Sequence, residues 1–391
     1  MIQYSGKVLN GRGELIGGGL ELDDSGKLVA VLPVNSNVSG WILPGLIDIH
    51  CHGGGGASFP DDTDDEGISR AIAAHRERGT TALLASLVSM ADPIPVIEAL
   101  VPWCERGELL GIHLEGPYIS AHKCGAQNPA VIRNPDLTEL RSWLEAGKGW
   151  IKTMTIAPEL PLAQEAANLL HEFGAIPSWG HTSANSAETA ARLRETADNA
   201  KKVGLTSAPQ TATHLFNAMP PLAHREPGPI RELIQAARRN ECVVELVADG
   251  VHLDRNLVGD VTEYLGISGA GLGVAYVTDA MAGAGMPDGE YVLGSLPVEI
   301  ADGVARLAQG GAIAGGTARL LDEVIGNVQA GVVNLAQAVQ ACVAGPALAI
   351  GASEDSIGVT LTYRFGSRPN FLVLNSDLEL ELVVREGEVL H

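Results

Sequence analysis

The sequence is poor in the features that mark membrane, secreted and nucleic-acid-binding proteins. No run approaches the roughly 18 consecutive apolar residues of a membrane span, and the opening residues, MIQYSGKVLNG, lack the apolar segment of a signal peptide. The 26 Lys and Arg residues are outnumbered by 47 Asp and Glu residues, and the net charge of −21 repels nucleic-acid phosphates and anionic lipid. These absences predict a cytoplasmic protein with no nucleic-acid or membrane partner.

Cysteine is also scarce, and two glycine-rich stretches lack the ending that would make them nucleotide sites. The five cysteines are scattered without CxxC spacing, which fits a reducing compartment and predicts no structural disulfides. GGGG at 53–56 and GGAIAGGT at 310–317 lack the GKS or GKT ending of a phosphate-binding loop. We interpret both stretches as tight turns that let the backbone approach a ligand.

What the chain does have is length, apolar content and a regular alternation of short strands with helices. With 391 residues, 46% of them hydrophobic, it can bury a large core. From Trp41 onward, apolar runs alternate with helical segments, which is typical of βαβ units. Eight such runs can be counted: WILPGLIDIHCH, TTALLASLV, LLGIHLEG, IKTMTIAPE, AIPSWGHT, TATHLFNA, CVVELVADGVH and LGVAYVTDA. The pattern predicts an α/β fold, a (β/α)₈ TIM barrel.

The two ends of the chain have a different pattern from the middle. The first forty or so residues are short β-like pieces broken by glycine and proline, and the tail is β-rich again. We therefore predict a small β-sandwich domain built from 1–43 and 346–391, beside a catalytic barrel domain spanning 44–345. Between the eighth strand and the tail, we predict a hairpin over 291–311 and helices over 319–345.

Residues able to bind a metal ion follow the apolar runs, at the ends where barrel strands converge. They are His50, His52, Glu115, His181 and His214, with Asp279 after the last run. Strand alternation puts the rings of His50 and His52 on one face. Taken alone, such a pair is more often ordinary core or surface histidine, but several separate strand ends with ligand-type residues favour a metal site. Imidazole suits zinc or iron, and Glu115 can bridge two ions.

The motifs that carry these residues resemble the amidohydrolase superfamily and, within it, the N-acetylglucosamine-6-phosphate deacetylase family. They are PGLIDIHCHG at 44–53, HLEGPY at 113–118, GHTSAN at 180–185, THLFNAMPPLAHREPG at 213–228, ADGVH at 248–252 and VTDAMAGAG at 277–285. The resemblance covers nearly the whole chain and implies the metal-dependent barrel of that superfamily. It also implies that Glu115, His181 and His214 hold the main ion, while His50 and His52 can hold a second. One or two divalent ions per subunit are expected, with zinc or iron preferred and cobalt or manganese as alternatives.

The implied reaction is hydrolysis of N-acetyl-D-glucosamine 6-phosphate to D-glucosamine 6-phosphate and acetate, in amino-sugar catabolism and cell-wall recycling. A metal-bound hydroxide is expected to attack the amide carbonyl, because a bound water can have its pKa lowered to about 7. Asp279 is placed to take up the proton and to pass it to the leaving amine, although an Asp after an apolar strand can equally be a helix cap. Asp48 and His113, each two residues inward from a proposed ligand, are interpreted as buried groups that hydrogen-bond the ligands.

The resemblance further implies which residues contact the substrate. His252 resembles the residue beside the scissile acetamide that stabilises the oxyanion. Asn217 and the backbone of Ala218 resemble phosphate contacts, and Arg225 resembles an arginine that reaches the site of a neighbouring subunit, which implies a homodimer. Gln127 stands where many relatives have histidine, and it can hydrogen-bond the sugar or phosphate but carries no charge. Without the motifs, His252 and Arg225 would be interpreted as solvated loop residues.

Two alternatives stay open at this point. Another amidohydrolase, acting on a cyclic amide or a purine, would commonly use a carboxylated lysine bridge, whereas Glu115 occupies that position here and Lys152 begins its strand. An inactive sugar-phosphate binding protein would not need the complete ligand set together with Asp279. Metal analysis and an assay for acetate release separate the three.

Overall fold

The computed structural model describes residues 1–35, 38–266 and 272–390. Its strands are β1 (Ile2–Leu9), β2 (Leu15–Leu22), β3 (Leu28–Leu32), β4 (Trp41–Pro44), β5 (Leu46–Asp48), β6 (Gly53–Gly54), β7 (Ala57–Ser58), β8 (Thr80–Leu87), β9 (Gly111–Glu115), β10 (Ile151–Ile156), β11 (Ile176–Trp179), β12 (Thr211–Ala212), β13 (Val243–Val247), β14 (Val274–Val277), β15 (Gly289–Leu293), β16 (Leu296–Ala301), β17 (Val304–Leu307), β18 (Phe371–Leu374), β19 (Leu380–Arg385) and β20 (Glu388–Val389).

The helices of the described ranges are α1 (Asp65–Arg76), α2 (Ile94–Glu105), α3 (Leu137–Ala146), α4 (Ala163–Glu172), α5 (Ser186–Val203), α6 (Gly228–Arg238), α7 (Arg255–Gly266), α8 (Leu320–Gln329), α9 (Leu335–Cys342) and α10 (Ala344–Ile350). A short 3-10 helix covers Ala121–Lys123. None of the described helices has both the length and the apolar character needed to cross a membrane.

Eight parallel strands form the barrel, in the order β5, β8, β9, β10, β11, β12, β13 and β14. The gap between β14 and β5 is bridged just beyond the strands. There the Asp279 amide donates to the His50 carbonyl at 2.9 Å, and the His52 amide donates to the Ala280 carbonyl at 2.7 Å. The predicted eight-stranded barrel is confirmed, and the hydrogen bonds that bridge its last gap involve His50 and His52, predicted as metal ligands, and Asp279, predicted as catalytic.

The barrel strands are apolar along their length because helices cover their outer face and side chains fill the interior. Every residue of β8, β9 and β13 is buried. The surrounding helices begin at matching caps: Asp136 accepts backbone amides at the start of α3, and Asn185 forms a capping box with Glu188 at the start of α5. Because the barrel strands are parallel, their carboxyl ends all lie at the same rim of the barrel.

Both chain termini pair in one separate seven-stranded sheet, in the order β20, β19, β18, β4, β1, β2 and β3. β18 runs antiparallel to β4, with Leu372 opposite Leu43, and β4 runs parallel to β1. This terminal sheet has a small core in which the rings of Tyr4 and Phe371 meet edge to face at 5.0 Å. Only Gly45 separates β4 from the barrel strand β5. The predicted pairing of the termini is confirmed, whereas the exact domain boundaries stay a prediction.

The segment that follows the barrel is larger than the predicted hairpin. β15, β16 and β17 form a three-stranded antiparallel sheet, and its apolar side packs against Val88 and Met281 near the barrel rim. The extra strand forms because the predicted hairpin continues directly into a second turn at Asp302 and Gly303. α8 and α9 follow where helices were predicted.

Candidate metal centre and active site

A cavity of about 250 Å³ opens at the rim formed by the carboxyl ends of the barrel strands. Most of the residues that the sequence predicted for the site line it: His52, Glu115, Gln127, His181, His214, Asn217, Ala218, His252 and Asp279. His50 lies next to them, fully buried. Residues far apart in the sequence therefore meet in one place, as barrel closure requires.

The side chains that meet here follow their strands closely. Glu115 is the last residue of β9, while His181, His214 and Asp279 each lie two residues beyond β11, β12 and β14. The last three adopt left-handed backbone conformations, with φ angles of 47°, 28° and 47°. Such conformations cost on the order of 1–3 kcal/mol for residues other than glycine and occur where the surrounding structure enforces them, often at functional sites. The barrel rim therefore holds these three side chains in place at a cost in backbone strain.

Glu115, His181 and His214 form the first group of possible ligand atoms. Oε1 of Glu115 lies 3.0 Å from Nε2 of each histidine, and the two Nε2 atoms are 3.0 Å apart. Nδ1 of His181 donates to the carbonyl of Lys123 at 2.8 Å, which leaves a lone pair on Nε2. The spacing fits one shared cation, since the ligand atoms of a tetrahedral zinc ion are about 3.3 Å apart.

His50, His52 and Glu115 form the second group, with Asp279 beside them. The Nε2 atoms of the two histidines are 3.2 Å apart, and Nε2 of His52 lies 3.2 Å from Oε2 of Glu115 and 3.3 Å from Oδ1 of Asp279. Nδ1 of His52 donates to the Ser86 carbonyl at 3.1 Å, so that its Nε2 lone pair faces the carboxylates. Glu115 belongs to both groups, which is the position of a carboxylate that bridges two cations.

The electrostatics of the site favour a cation. Burial lowers the pKa of His52, but hydrogen bonds with Asp279 and Glu115 raise it overall to about 9. Burial raises the pKa of Glu115, but His50 and His181 hold it well below its ordinary range. The carboxylates thus draw positive charge toward the imidazoles, and no Lys or Arg lines the cavity among the described residues. A divalent ion would supply that charge, and neutral imidazole with carboxylate is a ligand set that suits zinc or iron.

Asp48 and His113 are buried and hydrogen-bonded next to the ligand groups. Asp48 accepts the Thr278 hydroxyl at 2.6 Å and the His50 amide at 3.1 Å. His113 lies 3.0 Å from the hydroxyl of Ser86. These contacts agree with the interpretation of both residues as groups that support the site rather than bind an ion.

Gln127 makes a contact that sequence analysis did not foresee. Its Oε1 accepts the Ser89 amide at 2.6 Å, and its Nε2 donates to Oε2 of Glu115 at 2.5 Å. The side chain lines the cavity but also steadies the carboxylate shared by the two groups. Asn217 and Ala218 form another part of the lining, where the Ala218 backbone is left-handed with a φ of 51°.

Two carboxylates and an apolar wall were missed by sequence analysis. Oε2 of Glu245 lies 3.0 Å from Nδ1 of His50, and Oδ2 of Asp249 lies 2.8 Å from Nδ1 of His252. A charged residue inside the apolar run of β13 was a signal for Glu245, whereas no sequence pattern pairs Asp249 with its histidine. Leu293 of β15 also lines the cavity, and it was missed because it follows the last barrel strand.

Arg225 is not among the residues that line the cavity. It is exposed and lies near Asn185 and Ser186, at the beginning of α5. Its own chain does not bring it to the ligand groups. The predicted contact with a neighbouring subunit's site is therefore still a prediction.

Comparison with known proteins gives a family match and several similar enzymes. The model of the amidohydrolase family matches residues 41–359. The chain is similar to the N-acetylglucosamine-6-phosphate deacetylase of Bacillus subtilis (strain 168), with 36% identity over 282 residues, 69% of this chain. That match covers 65% of the Bacillus enzyme, just under two thirds of its length. Over 93% of this chain and 92% of the relative, it is 30% identical to the N-acetylgalactosamine-6-phosphate deacetylase of Escherichia coli O157:H7.

A solved structure extends the similarity to the whole fold. It is a variant of the N-acetyl-D-glucosamine-6-phosphate deacetylase of Mycobacterium smegmatis, in complex with N-acetyl-D-glucosamine-6-phosphate. It superposes with a TM-score of 0.86 at 33% identity, over 99% of this chain and 98% of that one. The chain therefore belongs to the amidohydrolase family, and the resemblance to N-acetylglucosamine-6-phosphate deacetylases that its motifs indicated is confirmed.

Proposed function

We propose that this protein is a metal-dependent hydrolase that removes the acetyl group from N-acetyl-D-glucosamine 6-phosphate, giving D-glucosamine 6-phosphate and acetate. The observation that carries the proposal is the convergence of Glu115, four histidines and Asp279 at one cavity. The similar Mycobacterium smegmatis structure, which contains this sugar phosphate, supports the choice of substrate. A cytoplasmic role in amino-sugar catabolism and cell-wall recycling is part of the proposal.

We assign the metal ligands to the two groups described above. Glu115, His181 and His214 would hold the main ion, and His50 and His52 would hold a second beside Glu115, with zinc or iron preferred over cobalt or manganese. When bound, such an ion polarises the amide carbonyl and makes a water molecule acidic enough to act as a nucleophile near neutral pH. The remaining work falls to the side chains around it.

Asp279 is the group that we propose moves the proton. Burial raises the pKa of Asp279, but His50 and His52 beside it lower the pKa overall, so the carboxylate is ionised at neutral pH and can accept a proton. Its Oδ1 faces the histidines at 3.3–3.4 Å, and its Oδ2 lies 3.9 Å from Nε2 of His252. From this position the carboxyl group can take the proton of the attacking water and later donate it to the sugar amine.

His252 is proposed to stabilise the negative charge that develops on the acetyl oxygen. Burial lowers the pKa of His252, but Asp249 raises it above its ordinary value and holds Nδ1, so that Nε2 faces the cavity and donates when the ring is protonated. A donor that is already oriented costs no reorganisation when the charge appears. Leu293, Ala312 and Ile313 add apolar surface to the cavity lining.

The phosphate requires positive charge that the cavity does not contain. Gln127, Asn217 and the Ala218 backbone can contribute hydrogen bonds, but among the described residues no Lys or Arg lines the cavity. We propose that Arg225 of a second subunit supplies the charge in a homodimer, since this exposed arginine does not line the cavity of its own chain.

Mixing two defective variants tests the shared site. Arg225→Ala and Asp279→Asn would each be nearly inactive at low substrate concentration. After subunit exchange, mixed dimers contain one site with both defects and one intact site, so we expect activity to return to about a quarter of the parent value. A mixture no more active than its components would show that Arg225 does not act in the partner's site.

Acetate release from the metal-loaded protein tests the function itself. N-acetyl-D-glucosamine 6-phosphate is compared with N-acetyl-D-galactosamine 6-phosphate, because the similar Escherichia coli relative is named for the galactose epimer. Unphosphorylated N-acetylglucosamine and a cyclic amide complete the set. We expect the glucosamine phosphate to give the highest kcat/KM. Acetate release from the galactosamine phosphate alone would show that the proposed substrate is wrong. Hydrolysis of the cyclic amide alone would show that the protein is a different kind of amidohydrolase. Binding of the sugar phosphate without any acetate release would show that the protein is a sugar-phosphate binder and not an enzyme.

A further inference from the structure

Glu245 is a buried carboxylate that the proposed chemistry does not use. It lies in the middle of β13 between Val244 and Leu246, and none of its surface is exposed. A carboxylate in such surroundings is costly unless it has partners that require its charge. The partners of Glu245 therefore indicate what it does.

One oxygen of Glu245 contacts both ligand groups. Its Oε2 lies 3.0 Å from Nδ1 of His50 and accepts the backbone amide of His214 at 3.2 Å. Its Oε1 has no hydrogen-bond partner in the part of the chain that the structure describes. A single carboxylate oxygen thus connects the ring of a histidine in one group to the backbone that carries a histidine of the other.

Two other histidines of the ligand groups, His52 and His181, are held in a different way. Nδ1 of His52 donates to the carbonyl of Ser86, and Nδ1 of His181 donates to the carbonyl of Lys123. His50 is the one of these three whose acceptor is a carboxylate. A carboxylate acceptor fixes the tautomer and makes the imidazole a more basic ligand at its far nitrogen. The rings of His50 and His214 also stack, with centroids 5.5 Å apart, so the two ligand groups are in direct contact.

We infer that Glu245 is a positioning residue that strengthens the ion site formed by His50, His52 and Glu115. It holds the His50 ring so that Nε2 faces the shared carboxylate, and through the His214 amide it has a weaker effect on the other site. This inference rests on the proposed metal-dependent function, but it concerns metal binding and not contact with the substrate.

Metal content provides the test. The parent, Glu245→Gln and Glu245→Ala are stripped with a chelator and dialysed against buffered zinc, and bound metal is then measured by mass spectrometry across the zinc range. The His50→Asn and His181→Asn variants assign each binding step to a site. We expect Glu245→Gln, which keeps the size of the side chain, to weaken the step lost in His50→Asn by about 10–100-fold while changing the other step much less. Glu245→Ala should weaken it further.

The matched control is Glu323→Gln. Glu323 is also fully buried, but its carboxylate accepts the Ala248 amide at 3.2 Å, and none of its hydrogen bonds involves a ligand group. We expect this variant to bind zinc as the parent does. Loading with manganese adds a spectroscopic signature, because magnetic coupling between two ions in the parent should be lost in Glu245→Gln at the same total metal concentration.

The outcomes separate the inference from the function on which it rests. A parent that binds none of zinc, iron, cobalt and manganese would refute the proposed metal-dependent function. If the parent binds zinc and Glu245→Gln keeps the parent affinity at the step assigned to His50, the positioning role is wrong while the function stands. The role is also wrong if His50→Asn changes neither step, or if Glu245→Gln and Glu323→Gln weaken zinc binding equally.

Discussion

The barrel mouth and the terminal sheet bury very different residues. At the mouth, His50, Glu115 and Glu245 are almost completely removed from solvent, and each is held by other polar groups. In the terminal sheet, the buried core is mainly apolar, and it includes the ring pair of Tyr4 and Phe371. Buried polar groups lose hydration that their partners only partly replace, whereas buried apolar surface stabilises the fold directly. The mouth should therefore be specialised for chemistry and the terminal sheet for stability.

Asp279→Asn should have the largest effect. If this variant kept its activity, the proposed specialisation of the barrel mouth for chemistry would be wrong. An amide cannot accept the proton, so we expect turnover to fall by about 10²–10⁴-fold. Acetate release at saturating substrate measures the loss, with thermal unfolding and metal content as controls that should stay near the parent values. Parent-like turnover with metal intact would show that Asp279 does not move the proton.

Phe371→Ala tests the other region. Phe371 is fully buried and contacts Tyr4, so we expect the free energy of unfolding to fall by about 3–5 kcal/mol. Denaturant titration measures the loss, and Phe371→Leu should lose less. The kcat of the folded variant should stay near that of the parent. A large fall in kcat at temperatures where the variant is fully folded would mean that the sheet shapes the site after all.

His75→Gln tests whether the barrel, and not the terminal sheet, makes the free energy of unfolding sensitive to acid. Burial lowers the pKa of His75 to about 4, so only the unfolded chain takes up this proton between pH 6.5 and 4. The stabilisation is present above pH 6.5 and is lost as the pH falls through this window, by up to about 3 kcal/mol. The free energy of unfolding of the parent, measured at both pH values, should fall more than that of His75→Gln. Residues 1–49 and 253–390 contain no histidine, so this acid sensitivity belongs to the barrel. Equal falls in the two proteins would contradict the prediction.

Asp249→Asn should have the smallest effect. The neutral amide still accepts from Nδ1 of His252 but no longer raises its pKa. Because the charge contributes only part of a hydrogen bond's energy, we expect kcat/KM to fall about tenfold. If the protonated imidazole is the active form, the fall of kcat/KM at high pH should begin at a lower pH than in the parent. An unchanged pH profile would remove Asp249 from the mechanism.

Prediction from sequence reached furthest where the signal was local. Alternation of apolar runs with helices predicted the barrel, which the structure confirms, and the position of Glu115 and His181 after such runs predicted that they would meet at the rim. The prediction of a hairpin after the barrel was incomplete, because the pattern of apolar residues did not separate two turns from one. The contact of Gln127 with Glu115 was not predicted, since a loop side chain can turn toward either the sugar or the carboxylate.

By itself the sequence determined the barrel strands, the helices between them and the kinds of side chain that stand at the strand ends, because each follows from residues close together in the chain. Only the tertiary structure decided which of those side chains meet. Glu245 reaches His50 across 195 positions of sequence, and Glu115 is shared between two groups of histidines, because barrel closure places β13 and β9 around the same axis as β5. The tertiary structure also decided the left-handed backbone at His181, His214 and Asp279, because only the packed rim can enforce this local strain.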